Sequence, residues 1–155
     1  MANATTEQRI IDGTHKAVVK LTGTTDGASG QIGGVVIDVS TLAYAKNANS
    51  ALMTSNTDPK SLYRVYVKKI LADVVGGMVT LSWQGNAANN TMVTLGPGYR
   101  EFDFEFIGGL MSNPSSNSTG DIILNTSAFG ANNAYTIVLE LKKDGNDYVT
   151  GFPGA

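Results

Sequence analysis

The chain has 155 residues, no cysteine, a single histidine and a formal net charge of −2. The lack of cysteine excludes disulfides, thiolate metal sites and thiol catalysis, and one histidine excludes a metal site built on a histidine pair. The slightly acidic balance gives no electrostatic footprint for nucleic acid. A chain of this length can fold as one domain on its own hydrophobic core.

The composition predicts a polar but weakly charged surface. Only 15% of the residues are charged, whereas an average globular domain has about 25%. Two interpretations fit: faces that are partly covered by neighbouring molecules, or an all-β domain with long loops. The N-terminus lacks the basic and apolar regions of a secretory signal, and no apolar run approaches the ~18 residues of a membrane span. We therefore expect a protein that is soluble as made.

The first predicted elements are an arm and a strand. Residues 1–13 are polar and end in a turn dipeptide, which predicts an N-terminal arm with Ile10 and Ile11 as its apolar anchors. Residues 15–21 alternate apolar and basic side chains, which is the period of a β-strand.

The middle of the chain alternates strands with loops and glycine-rich turns. The pattern predicts a loop at residues 22–34, a short strand at 35–39 and a long irregular connection at 40–60. Alternating apolar residues predict further strands at 62–71, 78–84 and 91–95. In the first of these, one face carries Tyr63, Val65, Val67 and Leu71.

Residues 100–107 show the clearest pattern of the chain. Phenylalanines occupy one side of the alternation and carboxylates the other, as in a half-buried antiparallel strand. We therefore predict that the phenylalanine side enters the core together with apolar positions of other strands. The predicted core comprises Phe102, Phe104, Phe106, Val65, Val67, Leu81, Trp83, Ile137 and Leu139.

The predicted elements define an all-β fold. Residues 122–126 and 135–141 bring the total to about eight strands, and no segment has helical periodicity. This number and spacing predict an antiparallel two-sheet sandwich of jelly-roll or immunoglobulin-like type. We assign the chain to a single domain at 1–155, with an N-terminal arm at 1–13, a β-sandwich at 14–143 and a C-terminal tail at 144–155.

The acidic side of residues 100–107 is the one carboxylate cluster in the pattern. Glu101, Asp103 and Glu105 recur about every 6.6–6.8 Å along one face, which favours a solvated stripe. The alternatives are Ca²⁺ binding, catalysis, or a charged contact with Arg64, Lys68 or Lys69 across strands or subunits. His15 stands near the start of a strand without a partner motif. The sequence thus predicts no catalytic residue, no cofactor and no metal site, and hence no enzyme.

The aromatic residues divide into two groups. Those within strand patterns favour a place in the core over a sugar-stacking platform. The aromatic residues beyond the last strand are costly to expose unless they dock on something. We therefore predict that the two chain ends contact another subunit, through Ile10, Ile11, Tyr148, Val149 and Phe152.

Several segments together resemble a known family. Residues 17–27, 36–42, 102–110, 119–122 and 135–143 resemble, in the same order, small virion structural proteins of tailed bacteriophages. The shared features are strand and turn sequences without catalytic signatures.

The resemblance implies a non-enzymatic protein that is made in the cytoplasm of a host bacterium and is located in the virion. It implies a capsid decoration protein that binds the outer shell as a homo-oligomer, or alternatively a neck, tail or fibre-attached component. The implied partners are other copies of the chain and other virion proteins, above all the major capsid protein, with no nucleic acid and no membrane. Outside the resemblance, a carbohydrate-binding β-sandwich is the alternative.

Overall fold

A computed structural model describes residues 4–26, 35–53, 58–84, 90–111, 119–127 and 130–150. The regular elements of these ranges are β-strands and two short 3-10 helices, at Val39–Thr41 and Glu105–Ile107. The strands are β1 (Ala4–Asp12), β2 (Lys16–Asp26), β3 (Val35–Ile37), β4 (Val65–Val75), β5 (Met78–Trp83), β6 (Asn90–Leu95), β7 (Gly98–Asp103), β8 (Leu110–Met111), β9 (Ile122–Ser127) and β10 (Ala131–Lys143).

The strands form two sheets. The six-stranded sheet has the order β1-β2-β10-β4-β7, with β8 also paired to β4, and the four-stranded sheet has the order β3-β9-β5-β6. The strand pairs of both sheets are antiparallel. The predicted all-β, two-sheet sandwich is therefore confirmed.

The strand order also distinguishes between the two predicted types of sandwich. Without β1 and the short β8, the sheets are β2-β10-β4-β7 and β3-β9-β5-β6, and the chain changes sheet at every step except the β5–β6 hairpin. Eight strands wound in this way between two sheets form a jelly roll. An immunoglobulin domain divides its strands differently, as ABED and CFG.

The core lies between the two sheets and agrees with most of the predicted set. Val65, Val67, Leu81, Ile137 and Leu139 are completely buried, and Trp83 is almost so. Tyr63 and Tyr135 are also buried, as the strand patterns predicted for aromatic residues.

The prediction for the phenylalanine side is wrong in part. β7 ends at Asp103, and the chain then turns into the 3-10 helix, so the alternation of period two stops before Phe104. β7 is also the last strand of its sheet, which leaves its inner face only partly covered. Phe102 and Phe104 are consequently half-buried against the core, whereas Phe106 is 82% exposed.

The phase of β4 also differs from the predicted one. The pairing with β10 shifts between Val67 and Lys69, so that Lys68 forms a β-bulge. A bulge adds one residue and reverses which side chains face inward beyond it. Ile70 is therefore buried and Leu71 points outward, the reverse of the predicted alternation.

The predicted N-terminal arm is a strand over most of its length. Residues 4–12 form β1, which pairs with β2 at the edge of the six-stranded sheet. Its half-buried side carries polar residues, among them Thr5 and Arg9, so the apolar alternation of an ordinary strand is missing. Hydrogen bonds replace it: Thr5 bonds to the Tyr135 hydroxyl at 2.5 Å, and Arg9 Nη1 donates to the Thr41 carbonyl at 2.7 Å.

Candidate functional site

The outer face of the six-stranded sheet carries a groove. It has a volume of about 540 Å³ and runs over β2, β10, β4 and β7. Its lining includes Val18, Leu71 and Val138 as apolar residues, and Lys69, Glu101 and Glu140 as charged ones. The face therefore combines apolar and charged contacts in one depression.

The bulge at Lys68 creates the apolar part of this groove. Val138 of β10 pairs in register with Leu71 of β4, and both side chains point away from the core. Without the extra residue, Ile70 would point outward and Leu71 would enter the core. The bulge thus places two aliphatic side chains side by side where the sheet meets solvent.

The charges differ between the two margins of this face. Lys16 and Lys20 point outward from β2, and Glu101 and Asp103 point outward from β7. The face thus has a basic margin on β2 and an acidic margin on β7, and β10 and β4 between them carry charges of both signs around Val138 and Leu71. Within the described part of the chain, neither lysine of the basic margin forms an ion pair.

An exposed apolar turn lies beside the groove. The Asp103 carboxylate accepts the backbone N–H of Glu105 at 2.9 Å, and Gly108 closes the 3-10 helix with a φ of 82°. This turn presents Phe106, 82% exposed, and Ile107, 55% exposed. Exposed apolar residues that adjoin one another mark interaction sites more often than isolated ones do.

The predicted acidic stripe is only partly a single stripe. Glu101 and Asp103 are exposed on β7, but Glu105 lies in the 3-10 helix. Glu105 pairs with Lys69 at 3.8 Å, so Lys69 is the partner among the three basic candidates and Arg64 and Lys68 are not. In the described ranges, no three His, Asp or Glu side chains lie close enough together to hold a metal ion.

Tyr99 is an exposed aromatic residue on the same face as the groove, two residues before Glu101. It is 58% exposed on β7, and its hydroxyl donates to a carboxylate oxygen of Glu101 at 2.5 Å. This hydrogen bond raises the pKa of Tyr99 above its usual value. A ring held beside carboxylates resembles the edge of a sugar-binding surface, although the groove floor itself is aliphatic.

The predicted interface at the chain ends is wrong for Tyr148. Its side chain is completely buried in the core of its own chain, where its hydroxyl donates to the Val39 carbonyl at 2.5 Å. Its ring centroid lies 5.7 Å from that of Tyr63. Tyr148 therefore anchors the tail to its own sandwich and is not available to a neighbour.

The other predicted interface residues have different positions. Val149 is half-buried, and its backbone N–H donates to the Tyr44 carbonyl at 2.8 Å. Ile10 and Ile11 are both exposed at the bulge of β1 and stay candidates for an interface. Phe152 lies outside the described residues.

A buried lysine that the sequence analysis missed fixes one end of the sandwich. The Lys143 side chain is 0% exposed, and its Nζ donates to Asp12 Oδ1 at 2.6 Å and to the carbonyls of Gly13 at 2.5 Å and Ala43 at 2.7 Å. Burial lowers the pKa of Lys143, and the hydrogen bond to Asp12 opposes this effect. All three donors are used, so the lysine is structural.

His15 lies nearby, and its side chain is exposed. Its backbone carbonyl accepts the backbone N–H of Lys143.

Two carboxylates face each other near the start of β9. Asp121 accepts the Val39 N–H at 2.9 Å and the Thr119 hydroxyl at 3.1 Å, and Asp38 caps the 3-10 helix at Ser40. Burial, and then the negative charge of Asp38, raise the pKa of Asp121 from 3.8 to about 6. Asp121 is thus a group whose charge changes between pH 5 and 7.

Comparisons with protein-family models, curated proteins and solved structures found no match to this chain. No helix in the described part of the chain is long and apolar enough to cross a membrane.

Proposed function

We propose that this chain is a non-enzymatic structural protein of a bacteriophage virion, and specifically a capsid decoration protein that binds the outer shell as an oligomer. The observation that carries the proposal is a jelly-roll sandwich that presents an exposed apolar turn, Phe106 and Ile107, at the edge of its outer sheet face. Jelly rolls form viral capsid domains, and also lectins and cupins. The fold alone therefore does not identify the function, and the choice among these roles rests on the exposed surface.

The surface suits adhesion to a large neighbour. Phe106 and Ile107 project from a turn that is fixed by local hydrogen bonds, so they lose little backbone freedom when they dock. Many copies on one shell can remain bound through modest contacts per copy, because each additional contact of a linked assembly acts at a high effective concentration.

The test is binding to phage particles from which the protein is absent. Wild-type protein is mixed with such particles and sedimented, and its position is then located by electron microscopy. The double variant Phe106→Ser, Ile107→Ser should bind at least about tenfold more weakly, since each large apolar side chain contributes ~1.5–3 kcal/mol when buried.

The matched control is Val75→Ser with Met78→Ser. These residues are 57% and 42% exposed at the β4–β5 turn, away from the 3-10 helix. The control should bind like wild type. Wild-type protein that fails to sediment with the particles, or a Phe106 and Ile107 variant that binds as well as the control, would contradict the proposal. Density at the neck, tail or fibres instead of the shell would favour the alternative location.

A second function is favoured by one observation, the exposed Tyr99 ring beside Glu101 and the groove. An aromatic face next to carboxylates is a common arrangement for stacking and hydrogen bonding a sugar. A carbohydrate-binding module would retain glycans in a glycan-binding screen and would lose them in Tyr99→Ala, whereas the decoration protein would show no specific glycan.

A further inference from the structure

We propose that the outer face of the six-stranded sheet binds the same face of a second copy of the chain, around a twofold axis that runs parallel to the strands and passes between β10 and β4. This inference deepens the proposed function, on which its biological meaning rests, by naming the surface and the partner of self-association. It rests on the strand register and on the charges that the register places across the face.

The register makes this face complementary to itself. Such an axis reverses the order of the strands and keeps the position along them, so β10 faces β4 of the second copy and β2 faces β7. Val138 then lies over Leu71, and Glu140 lies over Lys69, since each pair shares a register position. Lys20 also lies over Glu101. Lys20 pairs with Val138 and Glu101 pairs with Leu71, so both have the same position along the strands as the Val138–Leu71 pair. Each contact occurs twice, once in each direction.

The charges favour this axis over the other face-to-face arrangement. A twofold axis perpendicular to the strands would place β2 over β2 and β7 over β7. Along the row of Val18 and Asp103, for example, it would bring Lys16 over Lys20 and Asp103 over Asp103. Juxtaposed like charges disfavour an interface. The parallel axis instead places Lys20 over Glu101 and Glu140 over Lys69, so both of these contacts join opposite charges.

Sheet twist is compatible with these pairs. Packed sheets keep their strands within about 30° of each other, and β2 lies about 7 Å from the proposed axis, so the outer pairs are displaced by about 3–4 Å. Lysine and glutamate side chains span this offset. The central pair, Val138 and Leu71, lies close to the axis and is hardly displaced.

The area is sufficient for a reversible dimer. Four strands of each copy overlap, namely β2, β10, β4 and β7. At about 4.8 Å per strand and with five outward rows at about 6.7 Å spacing, they define a face of roughly 500 Å². Two copies bury roughly 1,000 Å², which is near the lower limit of specific interfaces. We therefore expect a dimer that dissociates on dilution and weakens at high salt.

The test is a charge exchange measured by analytical ultracentrifugation between about 1 and 200 µM, concentrations at which a micromolar affinity is resolved. Lys20→Glu and Glu101→Lys should each raise the dimer dissociation constant by about tenfold or more, because each creates two like-charge contacts. An equimolar mixture of the two variants should form a heterodimer about as stable as the wild-type dimer, since one contact is then restored with reversed sign and the other is the native Lys20–Glu101 pair.

The matched control is Arg100→Glu, an exposed position next to Glu101 whose register partner is the buried Ala72 and whose side chain therefore faces away from the groove. It should leave the dissociation constant unchanged. Leu71→Ser, on the solvent side of β4, should weaken the dimer while its circular dichroism stays that of wild type.

A wild-type chain that remains monomeric throughout this range would overturn the inference. So would an oligomer whose stability ignores the exchange, or a mixture that does not recover. Because the experiment needs only the purified chain, its failure leaves the binding of particles to be tested separately, and a chain that dimerises without binding particles refutes only the proposed function.

Discussion

The Nζ of Lys143 lies 2.6 Å from Oδ1 of Asp12, and this ion pair joins the last residues of β10 and β1. Lys143 is the last residue of β10, so the ion pair lies where the C-terminal segment leaves the sheet. The same ammonium group binds the carbonyls of Gly13 and Ala43. A single buried cation therefore holds three separate segments together.

Lys143→Met should destabilise the domain by about 2–4 kcal/mol. The variant keeps the aliphatic volume but removes the Lys143 donor from Asp12 Oδ1 and from two carbonyls. Breaking a buried ion pair typically costs ~3–5 kcal/mol. We expect a value at or below this range because Arg9 remains near the carboxylate. Its Nη1 lies 3.8 Å from Oδ2 of Asp12 and still partly compensates the negative charge. Urea unfolding at pH 7 measures the difference. Lys142→Met, exposed next to it, should stay within about 0.5 kcal/mol of wild type; equal effects of the two substitutions would show that the ion pair contributes nothing.

The sequence predicted the sandwich well because its strands follow an alternation of period two over most of the core. It failed where the chain itself breaks that period. The adjacent Lys68 and Lys69 interrupt the alternation within β4, and this was the available signal of a bulge. The 3-10 helix that exposes Phe106 lies between Asp103 and Gly108. The side chain of Asp103 accepts a backbone N–H of this helix, and such local hydrogen bonds compete with strand pairing. The alternation of apolar and polar residues does not reveal this competition.

The candidate site was predictable only in its parts. The carboxylates of β7 and the basic residues of β2 were visible as charged positions, but their arrangement as opposite margins of one face depends on β10 lying between β2 and β4. Such long-range pairing has no local signature. For the same reason, Tyr148 looked like an exposed tail residue, although the tail folds back and pairs Ala45 with Tyr148.

Ile70→Ala and Leu71→Ala should separate the two possible phases of β4. Ile70 is buried, so its truncation should cost ~2–5 kcal/mol by loss of transfer energy and formation of a cavity. Leu71 faces solvent, so its truncation should cost less than about 1 kcal/mol in the monomer. Chemical denaturation at low protein concentration measures both. A larger loss for Leu71 than for Ile70 would place the bulge elsewhere.

Tyr148→Phe should lower the free energy of unfolding by about 0.5–1.5 kcal/mol, because it removes only the hydrogen bond to the Val39 carbonyl. Tyr148→Ala should cost ~3–5 kcal/mol, because it also empties the space between Tyr63 and the tail. Val149→Ala is the control, since Val149 is only half-buried. If Tyr148→Ala lowers oligomerisation without lowering the stability of the monomer, Tyr148 belongs to an interface and its intramolecular position is wrong.

Asp121→Asn should stabilise the domain at neutral pH and have little effect in acid. The pKa of Asp121 is raised from 3.8 to about 6 in the folded chain, so the folded state binds this proton more tightly than the unfolded state does. The stability contributed by protonation is therefore fully present below pH 4 and is lost as the pH rises through 6. Asparagine has no such loss, its Oδ1 can still accept the Val39 N–H, and its amide can donate towards Asp38. Because Asp121 is partly exposed, we expect a gain of only about 1–2 kcal/mol at pH 8.

Urea unfolding of both proteins from pH 4 to 8 measures this gain in the free energy of unfolding. The control is Asp73→Asn, an exposed substitution that makes the same change in net charge. The difference between Asp121→Asn and wild type should grow with pH mainly between 4 and 6 and level off above. A constant difference, or one that Asp73→Asn reproduces, would mean that burial and the neighbouring Asp38 do not raise the pKa of Asp121 in the folded chain.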